Sequence, residues 1–350
     1  MSLSIDWSRI KPGSLKSGEP GLDGHKRGLW KAVISILILG LLVILGLGIW
    51  WSQEPDSNEA RLRAIELSGG QNARVGTMTT ASVIVVVETL LEKPGGLLSN
   101  DIAPPGIYLD NMPHWEQGVI VQVRDLSKAM RDGFSRSQSQ SQEDTALAQA
   151  EPNFNFGLES WIFPSSESEY ESGIEQMQDY LERLQDSEQY NAQFYARADN
   201  LERWLITVEN RLGSLSQRLS ASVGQRRLNT DLAGDTEALQ STPSPNEMMV
   251  KTPWLEIDDV FYEARGSTWA MIQFLRAVET DFAPVLQNKN AEVSLQQIIR
   301  ELEATQASTF PVVLNGGGFG LFANHSLVMA SYISRAHAAI IDQRELLNNG

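Results

Sequence analysis

The sequence predicts an all-α fold: one N-terminal transmembrane helix followed by an extracytoplasmic helical bundle with one long helix. Three observations carry this. Residues Ala32 to Trp51 hold no charge. Phe194, Ala198, Leu201, Leu205, Val208, Leu212, Leu215 and Leu219 follow one another at alternating steps of four and three, the spacing of a helical seam. No pair of alternating apolar and polar runs flanks a two-residue Gly or Asn turn, so hairpins have little support.

The apolar stretch sets the architecture. At ~1.5 Å per residue it is about 30 Å long as a helix, the thickness of a bilayer's hydrocarbon layer. Trp30, Lys31, Trp50 and Trp51 stand at its two ends, where indole rings settle among headgroups, and they read as the membrane anchor. A cleaved signal peptide and a buried helix of a soluble core are the competing readings. The stretch is longer than a signal core of roughly 7–15 residues and has no convincing small-x-small cleavage site. It lacks the polar face usual in a core helix. The expected organisation is a cytoplasmic tail at 1–28, a signal anchor at 29–51 in contact with the lipid bilayer, and an all-α domain at 52–350. Residues 1–31 hold six basic and three acidic residues, while Glu54, Asp56 and Glu59 precede the first arginine beyond the stretch. The positive-inside bias keeps the N-terminus in the cytoplasm and sends the rest across. In a bacterium that compartment is the periplasm.

Charge and composition narrow the function classes. The net charge is −16, with 44 Asp and Glu against 28 Lys and Arg, which argues against nucleic acid as a partner. There is no cysteine, so disulfides, thiolate metal clusters and cysteine nucleophiles are excluded.

The elements follow in order. Leu62, Ile65 and Leu67 continue as a helix until Gly69-Gly70. Residues 77–92 contain the β-branched run Val83-Ile84-Val85-Val86-Val87, where strand competes with buried helix; continuation of the pattern to Leu90-Leu91 before Pro94-Gly95-Gly96 favours helix. Residues 93–114 form a long, unusually apolar loop. Val119, Val123, Leu126, Met130 and Phe134 share a face of a helix from Trp115 to Arg136. Linker-like segments lie near 93–114, 137–153 and 224–253, the second including the Ser-Gln run after Ser135, which could also be the helix's polar end. Ser166 and Glu169 have capping-box spacing and start a helix. The pattern loses phase around Glu188 to Asn191, where a kink or boundary is expected. The eight-residue stripe beyond it fits either the core of a monomeric bundle or a helix–helix interface with a partner or a second copy. Further helices are expected at 256–283, 292–308 and 321–347.

Catalytic chemistry finds little support. No zincin, calcium-loop or serine-nucleophile motif occurs, and His325 and His337 lie about 18 Å apart along a helix. No catalytic residue, metal site or cofactor is expected. Asp258-Asp259 reads as a helix cap. The run Asn315, Gly316, Gly317, Gly318, Phe319, Gly320, with His325 after it, follows an extended segment and precedes a helix, an order that can cradle phosphate. It lacks a P-loop's Lys and Ser or Thr, so a tight turn is the stronger reading of Asn315, Gly316, Gly318, Gly320 and His325.

Four strings are distinctive: Glu88 to Gly96 (ETLLEKPGG), Phe194 to Leu201 (FYARADNL), Arg211 to Ser220 (RLGSLSQRLS) and Asn324 to Ala330 (NHSLVMA). With them the chain resembles the proteobacterial membrane-protein family known as domain of unknown function 2333. The resemblance implies a Gram-negative source and an inner-membrane protein with a periplasmic body, and it brings no catalytic residue. The expected function is an inner-membrane-anchored scaffold, assembly factor or adaptor that binds an envelope protein or itself. The alternative is an envelope enzyme or small-ligand receptor using the 93–114 loop and the 315–325 segment, which requires the two to line one pocket.

Overall fold

The computed structural model describes residues 22–70, 73–137, 142–186, 188, 191–228, 247–307, 313–317 and 321–349, with side chains from Gly28 onward. Among them are eleven α-helices and a two-stranded antiparallel pair. The chain divides into two units, one reaching to Leu47 and a second running from Gly48. Helix α1 (Leu22–Trp51) supplies the first unit and leads into the second. Within it Gly28–Trp51 is long and apolar enough to cross a membrane.

The second unit is a helical body. Helix α2 (Ser57–Leu67) ends at Ser68, and Gly69 and Gly70 carry the positive φ angles of the turn that follows. Helix α3 (Thr77–Glu92) contains the β-branched run, and every residue from Thr77 to Val87 is buried. A helix covered on all sides shows no apolar period, so pattern alone leaves it open to both readings. β-Branching costs a helix only ~0.7 kcal/mol per residue at most. Burying each Val or Ile contributes about 1.5–3 kcal/mol, and packing decides.

Helix α4 (Asn111–Ala129) begins four residues before the expected Trp115 and passes into a single π-type turn at Met130–Phe134. It runs parallel to helix α8 (Ile257–Asp281), and the two form the centre of the body. Glycines make that approach possible. A Cβ on Gly118 would collide with the Glu263 carbonyl, and one on Gly266 with the Trp115 carbonyl. The Ser267 hydroxyl donates to the Gly118 carbonyl at 3.2 Å. Beside the contact the rings of Trp115 and Trp269 pack 5.3 Å apart. Farther along, Phe134 and Phe282 pair edge-on and Phe194 closes a three-ring cluster.

Several expectations are corrected. Within the supposed linker 137–153, residues Thr145–Phe154 form helix α5. Asp144 accepts from the amides of Ala146 and Leu147, and Ala146, Leu147, Ala150 and Phe154 are buried. Residues 138–141 of the Ser-Gln run lie outside the described residues. Helix α6 spans Ser166–Gln185, and its cap is Ser165, whose side chain accepts from the Ser168 amide. Ser166 instead turns inward and donates to the Gly157 carbonyl at 2.7 Å. The loss of phase near residue 188 marks a true boundary, because helix α7 starts afresh at Ala198 and ends at Ser220. Inside the 224–253 loop, β1 (Gln225–Leu228) pairs antiparallel with β2 (Glu247–Val250) in the register Gln225 to Val250. The two are separated by residues 229–246, outside the described residues, so no tight-turn signal could announce the pair. Short helix α9 (Ala283–Asn288), α10 (Glu292–Ala304) and α11 (His325–Asn349) complete the chain. Helix α11 lies antiparallel on α7: Ser216 donates to Ala330, Arg344 pairs with Glu209, and Asn348 reaches Glu202.

Gly266→Ala should lower the stability of the body by about 1–3 kcal/mol, the usual effect of overpacking. Urea denaturation followed by tryptophan fluorescence checks this, and an unchanged midpoint would mean that α4 and α8 can separate freely.

Candidate functional site at the proximal end of the body

The end at which residues Gly48 to Glu54 lead into the body is termed proximal. Helix α3 stops there at Lys93, followed by Gly95 at φ 88° and Gly96 at φ 68°. A side chain at Gly95 would meet the Trp51 indole at 2.8 Å, so glycine lets that ring lie on the loop backbone. The loop then folds over Glu116, on the second turn of α4. The Lys93 ammonium lies 2.6 Å from Glu116 Oε1, both side chains being fully buried, and donates to the Gly96 carbonyl at 2.5 Å. The carboxylate also accepts from the amides of Leu98 and Ser99, each at 2.8 Å, and from the Ser99 hydroxyl. A buried ion pair with satisfied oxygens is a clamp, and it fixes the path of residues 93–99.

The clamp extends outward. Asn100 donates to the Ser160 carbonyl at 3.0 Å and to Glu167 at 2.8 Å, joining this loop to the one before α6. Asp101 sits among Glu116 and Glu167; burial first and those charges next push its carboxyl above the usual range, while Lys93 opposes them. On the neighbouring side Arg265 of α8, 5% exposed, makes a two-pronged pair with Glu54 at 2.7 and 2.5 Å. Its remaining donors meet the Thr305 and Ala307 carbonyls. His114 lies 3.4 Å from Asp259 at the start of α8. Burial raises the Asp259 carboxyl above its ordinary value, His114 counters this, and Asp258, Asp110 and Glu256 add to it.

The sequence candidates are distributed as follows. Trp30 and Trp50 are exposed on α1, Lys31 is exposed beside Trp30, and Trp51 is half-buried against Gly95. Leu201, Leu205, Val208, Leu212, Leu215 and Leu219 are buried within the body, while Phe194 and Ala198 are half-buried. The chain itself covers the stripe, with α11 lying along α7. The described ends of the 315–325 segment, 315–317 and 321–325, are bonded to each other. Asn315 bridges to Asn324, Gly316 donates to the Ala323 carbonyl at 3.0 Å, and the Leu314 amide donates to His325 Nδ1 at 3.1 Å. Asn324 caps α11 by accepting from Leu327 at 2.8 Å. Those polar groups are thus bonded to one another; Gly318 and Gly320 lie outside the described residues. Among the described residues no three His, Asp or Glu side chains are gathered as metal ligands. A polar cleft of about 320 Å³ lies between Ser135, Asp144, Arg183 and Tyr195, away from both loops. Its Arg183 is held by Asp144 through two contacts of 2.8 Å.

The model of a bacterial family, described as an uncharacterized protein conserved in bacteria (DUF2333), matches residues 24–350. The chain belongs to this family. No curated protein and no solved structure matches it. The four strings noted above lie inside the family match, and several of their polar residues join parts of the body. Lys93 closes the clamp on Glu116. Asn200, buried, donates to the carbonyls of Gly133 and Tyr195. Arg211 and Arg218 tie α7 to Asp125 and Glu263.

Sequence reasoning missed Glu116 and Arg265. Both carried a readable signal, since each lies on an apolar helix face: Glu116 one turn before Val119 and Ile120, Arg265 between Phe261 and Trp269. A charge in such a stripe needs an internal partner.

Lys93→Met should cost about 3–5 kcal/mol, because it leaves Glu116 buried and unpaired. Arg211→Ala, which breaks an exposed pair, should cost less than about 1 kcal/mol. Urea titration of both variants tests the difference, and equal losses would show that the Lys93 pair is no clamp.

Proposed function

We propose that this protein is a single-pass bacterial inner-membrane protein, with its N-terminus in the cytoplasm and its helical body in the periplasm. The body acts there as a scaffold, assembly factor or adaptor for another envelope component. The observation that carries this reading is the apolar helix Gly28–Trp51, whose side chains from Gly28 to Gly46 are exposed. An apolar surface that large is stable in lipid and costly in water. Its flanks supply the direction, with six basic residues up to Lys31 and an acidic sequence beyond Trp51.

A binding role is supported by what the polar groups of the body do. Lys93, Glu116, Arg265 and Asn200 are each committed to shaping loops and joining helices. Asp281, buried at the far end of α8, caps the first turn of α3 by accepting from the Thr79 amide and hydroxyl, both at 2.6 Å. Burial nevertheless lifts its carboxyl above the ordinary value. Such a body is a rigid support, and its exposed surface is free to hold a partner. The acidic character of everything beyond residue 31, with 41 acids against 22 bases, favours a partner surface with basic or apolar patches.

Alkaline phosphatase and green fluorescent protein, each fused after residue 350, test the topology. The phosphatase fusion should be active and the fluorescent fusion dark; the opposite pattern overturns the reading. Leu39→Arg with Leu42→Arg places two charges at the centre of the span, each costing about 2.5–3.5 kcal/mol on insertion scales. The doubly substituted protein should leave the membrane fraction, which immunoblotting of fractionated cells reads directly.

A further inference from the structure

Outside α1, the described aromatic side chains left exposed are Tyr108, Trp161, Phe163, Trp254 and Phe322. All lie in connections between α-helices, Tyr108 and Trp254 in short 3-10 turns. They come from four segments distant in the chain, yet those segments meet at the proximal end. Tyr108 follows the clamped loop, and that loop abuts the end of α1: a Cβ on Gly48 would lie 3.7 Å from Pro105 and 3.8 Å from Leu109. Trp161 and Phe163 sit on the loop that Asn100 holds through Ser160 and Glu167. Trp254 precedes α8, whose first turns are tied to His114 and Glu54. Phe322 precedes α11, whose early turns lie on the last turns of α7, beside the start of α8.

Their exposure is extreme for a water-facing surface. Phe163 is 93% exposed, Trp254 79% and Tyr108 75%. Phe163 is also held at φ 42°, a left-handed conformation unfavourable for a bulky residue, and its ring gains no burial in return. The far end differs: the described exposed apolar side chains there, among them Leu67, Val75, Val293 and Leu346, are aliphatic.

We infer that these loops form a second membrane contact, with Tyr108, Trp161, Phe163 and Trp254 seated in the headgroup and upper acyl layer of the bilayer that α1 crosses. The inference rests on α1 being membrane-spanning. Gly48 is three residues, about 5 Å of helix, from the end of the apolar stretch, so the loop touching it stands at the level where hydrocarbon gives way to headgroups. Aromatic rings are the side chains that partition into that layer. The occupant is lipid and not an anionic surface in particular, because Asp110, Glu159 and Glu256 flank the rings and would oppose negative headgroups. The seat is therefore apolar and indifferent to salt.

The cysteine-free chain allows a direct test. Tyr108→Cys, Phe163→Cys and Trp254→Cys are made in the full chain, with Val293→Cys as the far-end reference and Leu39→Cys as the reference within the span. Each is labelled with an environment-sensitive fluorophore and reconstituted in phosphatidylcholine vesicles with and without brominated acyl chains. Quenching by the brominated lipid at the three loop positions should exceed that at Val293 by about threefold and persist at raised salt, as expected for an interfacial site. Loop positions quenched no more than Val293, with Leu39 strongly quenched, would overturn the second contact and leave the span standing. An unquenched Leu39 would overturn the span and the contact together.

Discussion

A charge taken out of water must find its counter-charge inside the protein, and two such pairs organise the proximal end. Lys93 with Glu116 closes the loop after α3 onto α4. Arg265 with Glu54 fastens the segment following α1 to α8. Between them they determine where the chain goes after Trp51 and how residues 93–101 are displayed. Neither pair need add much net stability, since desolvation offsets most of the attraction. What each contributes is specificity: an alternative path for either loop would strand a charge in apolar surroundings. The Asn100 bridges to Ser160 and Glu167 then transmit that fixed geometry to a loop some 60 residues away.

The remainder of the body is held by more ordinary forces arranged around one close contact. Gly118 and Gly266 bring the α4 and α8 backbones together, and the large rings of Trp115 and Trp269 fill the space beside them. At the opposite end Phe134, Phe194 and Phe282 form a second knot, over which Asp281 caps α3. The α4–α8 pair is thus flanked by large aromatic side chains at both of its ends.

Much of this was legible in the sequence, for reasons that differ from element to element. The α7 stripe was clear because one face is buried and the other wet, so hydrophobicity recurs at helical spacing from Leu201 to Leu219. The boundary before α7 appeared as a lost phase near residue 188. Helix α5 was hidden because it is short and sits beside a polar run; its Asp144 cap was present in the sequence but overshadowed by its neighbours. The β1–β2 pair was invisible for want of a turn between them. The capping box at Ser166 misled by one residue, since Ser165 and Ser166 are both serines and only packing decides which one faces inward. The clamp was within reach: a glutamate on the apolar face of α4 is an anomaly that asks for a lysine. Which lysine answers could not be read, because Lys93 comes from a different element.

The antiparallel seating of α11 on α7 bears on how the chain is made. The ridge from Leu201 to Leu219 leaves the ribosome more than a hundred residues before the helix that roofs it. Until α11 has been synthesised, the part of that ridge it covers stays bare, so the growing chain passes through an interval with an adhesive surface. Premature termination anywhere before His325 would make the interval permanent, and the shortened product would be a substrate for holdase chaperones and quality-control proteases.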